Sequence, residues 1–319
     1  MSYIKPSAPR RARRGIRALA TLLSIILFIA PAGCGQQKST LRVGVMPDLD
    51  SIPLMLAAQA GYLPGNIVLE PFKSPVERDS ALFSGRLDGA VSDLLAAFLA
   101  VDGGQNYKAL TVTDGCYKLV AGKGSGIQSL KDLAGRSVGM SIHTIIEYAA
   151  DQMLLSVGLQ PDSITKQAVP SIPARLELLK AGKLDAAVLP EPYASEAAAG
   201  GCRLIASSTD LGLDAGILLF SADALKDKPA LLKELIAGYD RAVEDLQAGR
   251  VDIDRAAAAL GLPDTLKKDL LPAYRTARPP AQKDLSAAVG WLDGKSLLST
   301  GLDPASILCD LNALGIDHG

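Results

Sequence analysis

Two histidines in 319 residues narrow the chemistry this chain can perform. His318 lies in the C-terminal tail, so His143 is the imidazole left for general acid–base work, with Asp and Glu as the remaining candidates. There is no HExxH, no paired CxxC and no GxSxG, and Gly122-Lys123-Gly124-Ser125-Gly126 fits neither a P-loop nor a dinucleotide fingerprint. That glycine cluster reads as a surface turn, and neither a cofactor nor a metal is expected. The polar side chains instead fall between short apolar runs and the helix starts that follow them. They are Asp48, Lys73, Ser74, Ser92, Asp93 and Asp114 in the first half, then Ser141, His143, Thr144, Ser171, Glu191, Tyr193 and Asp214. Residues so placed, beside the unpaired N–H groups of helix N-termini, suit ligand binding better than bond-making.

The elements that must position them alternate as strand, cap, helix and glycine, the sequence form of a parallel sheet with crossover helices. Strands are predicted at Leu41–Met46, Ile67–Phe72, Gly89–Val91, Ala109–Thr113 and Tyr117–Ala121. A second set runs over Ser137–Met140, Ile164–Val169, Ala186–Leu189, Arg203–Ala206 and Gly216–Phe220. Ser74-Pro75-Val76-Glu77 and Thr144-Ile145-Ile146-Glu147 read as capping boxes. After Ser221 only helices are predicted, at Pro229–Gln247, Ile253–Leu260, Leu266–Tyr274 and Asp284–Leu292, with Pro279-Pro280 as a break.

An internal duplication organises these elements. Ser74–Val91 recurs without gaps as Ser171–Val188, at an offset of 97 residues, with Ser, Arg, Leu, Gly, Leu, Asp, Ala and Val in common. That spacing is too long for a solenoid and points to two similar lobes. Ligands of open parallel sheets bind beyond the strands' carboxyl ends, so the polar positions of both lobes should border one cleft. Each also has a plain structural reading. Ser74, Thr144 and Ser171 are good N-caps, Asp93 can cap its helix, His143 can be a satisfied structural histidine, and Tyr193 can be core or a stacking ring. Asp88 and Asp185 occupy equivalent repeat positions at strand starts and read as turn residues. The rim carries Asp48, Asp93, Asp114, Glu191 and Asp214 against Lys73 and nearby Lys118. This disfavours a bare anion and suits a ligand with amine or ring N–H donors, while the helix N-termini pull the other way.

The first 33 residues are set apart. Six basic residues (Lys5, Arg10, Arg11, Arg13, Arg14 and Arg17) precede the apolar run Ala18–Ala30 and then Pro31-Ala32-Gly33-Cys34. This is the form of an export signal, and the run falls short of the roughly 20 residues a membrane-spanning helix needs. An uncleaved anchor is the alternative. Removing residues 1–33 leaves 27 basic against 34 acidic side chains. That acidic balance argues against a nucleic-acid partner. Cys116, Cys202 and Cys309 are too widely spaced for a disulfide framework or a zinc site; one bridge is possible, and buried thiols are the simpler reading. A mature chain of about 285 residues is large enough to divide into two domains.

Ala32-Gly33-Cys34 resembles the bacterial lipoprotein signal, in which the cysteine is lipidated, and Pro31 departs from its pattern. The segments LRVGVMPDLDSIPLMLAAQAGYL, SPVERDSALFSGRLDGAVSD, SLKDLAGRSVGMSIHTIIEYAADQML and KLDAAVLPEPYASEAAAGG resemble solute-binding proteins of bacterial ABC importers. The resemblance is to the nitrate, sulfonate, taurine and thiamine-pyrimidine-precursor binding group, over roughly residues 41–310. It implies an α/β, two-lobed periplasmic binding protein-like fold with parallel sheets, a two-strand hinge and C-terminal helices. Residues 1–33 would be signal, 34–40 a tether, 41–117 with 221–319 lobe one, and 118–220 lobe two including the hinge crossings. A monomer tethered outside the cytoplasm by lipid on Cys34 would capture a small polar organic or nitrogen- or sulfur-containing solute. It would deliver that solute to a permease and ATPase on separate chains, without catalysis. The alternatives are an enzyme on the same fold, of the pyrimidine-precursor or menaquinone-pathway type, and an extracytoplasmic sensor.

Overall fold

The computed structural model describes residues 39–253, 262, 270–299 and 301–316. The expected signal, Cys34, most of the tether, the helix expected at Ile253–Leu260 beyond its first residue, and His318 lie outside the described residues. The first run of elements is β1 (Leu41–Val45), α1 (Ile52–Gln59), β2 (Ile67–Pro71), α2 (Pro75–Phe83), β3 (Gly89–Asp93), α3 (Leu94–Asp102) and β4 (Tyr107–Val112). The second is β5 (Tyr117–Ala121), β6 (Ser137–Met140), α4 (Ile145–Leu155), β7 (Thr165–Ala168), α5 (Ile172–Lys180), β8 (Ala186–Pro190), α6 (Tyr193–Ala199) and β9 (Arg203–Ser207). The chain then returns through β10 (Gly216–Ser221) and continues as α7 (Ala222–Asp227), α8 (Pro229–Gln247) and α9 (Gln282–Gly294).

Two five-stranded sheets result, ordered β2-β1-β3-β10-β4 and β7-β6-β8-β5-β9. The orders correspond strand for strand, so the duplication extends to topology. The sheets are mixed and not parallel as expected: β10 runs antiparallel to β3 and β4, and β5 antiparallel to β8 and β9. The reason is the connection. β4 passes into β5, and the segment after β9 into β10, without a crossover helix, so each strand enters its new sheet against the others' direction. β10, placed at the return crossing of lobe two by sequence, is a fully paired member of the first sheet.

The repeated arginine explains much of the local packing. Arg78 on α2 and Arg175 on α5 are both buried, and each lies over a strand glycine. A Cβ at Gly44 would meet Leu87 at 2.8 Å and the Arg78 stem at 3.3 Å; at Gly139 it would meet Leu184 at 2.5 Å and the Arg175 stem at 3.3 Å. Each strand therefore lacks a side chain where its arginine must pass. Arg175 spends its guanidinium on the carbonyls of Val169 (2.9 Å) and Val188 (2.5 Å) and on Ser141 Oγ (2.6 Å). Its pKa is lowered to about 9 by burial. Asp88 and Asp185, also common to both copies, accept the backbone N–H of Arg42 and of Ser137, each at 2.8 Å.

The C-terminal region packs against the first sheet's side of the molecule. Helix α8 packs on α1, α9 packs on α3, and Leu308 bridges Ala109 of β4. The helix expected at Leu266–Tyr274 is described only from residue 270, and Leu271–Tyr274 is not helical there. Pro272 removes a helical N–H and blocks the turn before it. From α9 and its C-cap residue two side chains reach the second lobe. Lys295 contacts Glu147 and Asp151 of α4 at 2.9 Å each, and Trp291 Nε1 donates to Asp151 at 3.0 Å while stacking edge-on against Tyr148. Lys166 completes this network at 2.7 Å from Glu147 and 2.6 Å from Asp151. Burial alone would raise the Glu147 pKa; the His143 N–H and the two lysines bring it down to about 2. Glu147 therefore bonds one residue before the Thr144 cap, which modifies the expected capping box.

The glycine–arginine crossing carries a stability prediction. Gly139→Ala should cost about 1–3 kcal/mol in denaturant unfolding through overpacking against Leu184. Gly290→Ala in α9, with open space around its Cα, should be neutral or stabilising. Equal effects of the two would show that the strand glycine is not a packing requirement.

Candidate functional site

Two short crossings join the sheets, Thr113–Cys116 and Leu213–Ala215, and Asp50 sits between them. Its carboxylate accepts from Thr113 Oγ1, Gly115 N (3.0 Å) and Tyr117 OH (2.6 Å). A Cβ at Gly115 of the first crossing or at Gly216, the first residue of β10 after the second, would overlap the same carboxylate, so the chain carries glycine at both places. Burial raises the Asp50 pKa against these three donors, and the Tyr117 hydroxyl is pushed well up by its own burial and by Asp50. Asp50 is not among the site residues expected from sequence. Its partners lie more than 60 residues away, and no local pattern announces them.

Beside this hinge the lobes face each other along a closed seam. Thr144 caps α4 through Ile146 N at 3.2 Å, and the preceding N–H, of Ile145, donates across the seam to Asp93 Oδ2 at 3.4 Å. Asp93 also caps its own helix α3 through Ala96 N at 2.9 Å. At the start of α5, Ile172 N donates across the seam to the Lys73 carbonyl at 3.2 Å. The Lys73 side chain is exposed. Met46 and Phe72 of the first lobe pack with Ile172, Leu189 and Tyr193 of the second. Ser74 and Ser171 precede α2 and α5 but neither side chain makes the expected cap bond. Ser74 Oγ is buried without a hydrogen-bond partner, and Ser171 is half-buried.

Several expected site residues are consumed by structure. Ser92 Oγ accepts from Arg78 (3.1 Å) and donates to Asp79 (3.1 Å). Ser141 serves Arg175, and Asp114 is held by Arg275 at 2.8 Å and Arg278 at 2.6 Å. Arg275 also pairs with Asp214 at 2.9 Å, and Glu191 is fully buried against Lys118 and Ser195. The His143 ring is exposed on left-handed backbone (φ 58°). The rim carboxylates Asp114, Asp214 and Glu191 thus have cationic partners, contrary to the charge reading from sequence. Arg275 and Arg278 come from the C-terminal segment, which sequence placed only as a helix and a break.

What remains at the seam is one buried guanidinium near three carboxylates, Asp48 and Asp93 buried and Asp79 half-buried. Arg78 lies 2.8 Å from Asp79 and 3.8 Å from Asp93. Burial lowers the Arg78 pKa, but Asp79 and Asp93 more than offset that and leave it raised. Asp48 has no ion-pair partner among the described residues; burial first, then Asp50, pushes its pKa up to about 7. Asp93 is pushed up to about 6 by burial and by Asp79. Tyr193, raised to about 12 by burial and Asp48, borders the same group. Arg78 and its counterpart Arg175 were not among the expected site residues, although their identity in the duplication was visible. Among the described residues no cluster of three or more His, Cys, Asp or Glu is placed to hold a metal ion.

The raised carboxyls fix the sign of a pH effect. A carboxyl whose folded pKa exceeds its ordinary value contributes stability that is full below pH 4 and lost as pH rises through the folded value. Asp48→Asn keeps the acceptor for Ser51 N and removes this loss. Its stability relative to the parent should therefore grow between about pH 4 and pH 8, by more than ~1 kcal/mol. A difference that stays flat with pH would contradict the buried, unpaired state of Asp48.

A sequence model of the NMT1-like family matches residues 35–260. A Brachyspira hyodysenteriae protein assigned as an ABC transporter periplasmic binding protein is 24% identical over 270 residues, covering 74% of this chain and 75% of that one. The alkanesulfonate-binding protein SsuA from Xanthomonas axonopodis pv. citri, bound to MOPS, superposes with a TM-score of 0.73 at 20% identity, over 85% of this chain and 98% of its own. The periplasmic nitrate-binding protein NrtA from Synechocystis PCC 6803 gives 0.67 at 13% identity, over 84% of each chain. These structures share the two-lobed α/β periplasmic binding protein fold with this chain, and the family match extends over most of its length. The chain belongs to the NMT1-like family.

Proposed function

We propose that this protein is an extracytoplasmic solute-binding protein of an ABC importer. It captures one small polar solute between its lobes and presents it to a permease and a separate ATPase. The observation that carries the reading is the seam itself: the starts of α4 and α5 meet Asp93 and Lys73 of the other lobe, beside two hinge crossings. Lobes whose chain connections among the described residues are these two crossings can open as rigid bodies and close on a molecule placed between helix N-termini. The relative's assignment as an ABC transporter periplasmic binding protein supports the same role.

The seam and hinge act as binding machinery. The candidate ligand contacts are Asp48, Ser74, Asp93, Thr144, Ser171 and Tyr193, with His143 and the Lys73 side chain at the exposed edge. Asp114, Ser92, Ser141, Glu191 and Asp214 support the lobes and hinge around them. No step of catalysis is assigned to any of these residues. The N-terminal segment supplies location: a signal ending before Cys34 would leave a lipid-anchored monomer outside the cytoplasm. Among the described residues no helix is long and apolar enough to cross a membrane.

Native mass spectrometry of gently purified protein should show one small molecule per chain, released unchanged on denaturation. Protein without such a molecule that also shows no thermal shift across a library of small solutes, or protein that chemically converts its solute, would contradict the proposal. Cys34→Ser should abolish lipidation and release the chain from membranes. Membrane attachment that persists would favour an uncleaved N-terminal anchor.

A further inference from the structure

The start of α4 is the place where an anionic solute would be expected to bind, since its free N–H groups and partial positive charge face the seam. In this protein that place already holds an anion. Asp93, 1% exposed, directs one carboxylate oxygen to Ala96 N of its own helix and the other to Ile145 N of α4. The start of α5 is likewise met by an internal acceptor, the Lys73 carbonyl. Next to Lys73, Ser74 Oγ is buried at the same seam and has no partner. The surrounding charge is negative: Asp48, Asp79 and Asp93 face the single guanidinium of Arg78, which is already bonded to Asp79 and Ser92.

We propose that Asp93 is a built-in counter-anion that sets the solute class, excluding sulfonates and other bare anions and selecting a solute that offers N–H donors or a cationic nitrogen. The inference rests on the solute-binding reading above and deepens it. An anionic solute would have to displace Asp93 from α4 and lie against Asp48 and Asp79. A protonated amine or amidinium instead meets acceptors: the Asp93 and Asp48 carboxylates and the unsatisfied Ser74 hydroxyl. Burying an anion against like charge is strongly unfavourable, whereas a cation there offsets the cost of a carboxylate left unpaired, so one carboxylate is enough to set the choice.

Asp93→Asn is the direct test, because asparagine is isosteric, keeps an acceptor for Ala96 N and loses the charge. Asp93→Ser, another good N-cap without charge, covers a failure of the first variant to fold. Binding of ethanesulfonate, nitrate and benzamidinium would be measured by calorimetry at pH 8 on solute-stripped protein. The expected result is at least a tenfold gain in ethanesulfonate or nitrate affinity for the variant over the parent, with weaker benzamidinium binding. A parent that binds ethanesulfonate as tightly as the variant, or variants that gain no anion affinity, overturns the proposal. Solute capture still stands in that case if the parent purifies with a bound molecule. A parent that holds no solute of any kind overturns both.

Discussion

The arrangement turns on one buried carboxylate between two crossings. Asp50 comes from the loop after β1, yet its three donors come from the first crossing and from β5 in the second sheet. Burying a carboxylate is costly unless its oxygens are bonded, and here the bonds come from the first crossing and β5 while the second strand of the hinge packs against the same group. Gly115 and Gly216 permit that approach. The hinge is therefore specified by polar geometry as well as by the strands that enter and leave it. Bonds at a pivot change little when the lobes rotate. Contacts made away from the crossings, such as Ile145 with Asp93 or Lys295 with Glu147, must be exchanged when the lobes separate.

Around that pivot each lobe is built by the same device: a helix arginine laid over a strand glycine, and an aspartate at the next strand start that ties down a neighbouring backbone N–H. Arg78 and Arg175 show how one position diverges after duplication. Arg175 is absorbed by two carbonyls and a serine, and becomes internal scaffolding. Arg78 faces Asp79, Ser92 and Asp93, and becomes the cationic centre of the seam. Lobe one thus carries the charge pattern and lobe two supplies helix N-termini, and a solute between them would meet both.

The sequence made the strands, the two-lobed plan and α8 legible, because local periodicity and caps specify them. Helix α8 begins and ends at Pro229 and Gln247 as the pattern indicates. The mixed strand direction was not legible, since a short connection between two sheets looks like one within a sheet. The cleft loops were legible as places but not as roles. Asp114 looked like a rim carboxylate; its arginine partners lie 161 and 164 residues further on, beyond any local signal. Ser74 reads as a cap and proves to have an unused hydroxyl, while Asp93 caps two helices where one was foreseen. Long-range pairing of buried charge separated the structural from the candidate ligand-binding residues.

The central claim is that two rigid lobes close around a solute by rotation at the crossings beside Asp50. It is tested most directly by the interlobe distance measured between spin labels at the exposed positions Ser84 and Glu177. The account predicts a single narrow distance in protein purified with its solute. After the solute is stripped, a second, displaced population should appear, and adding the solute back should remove it. One unchanged narrow distribution under all three conditions would contradict the claim.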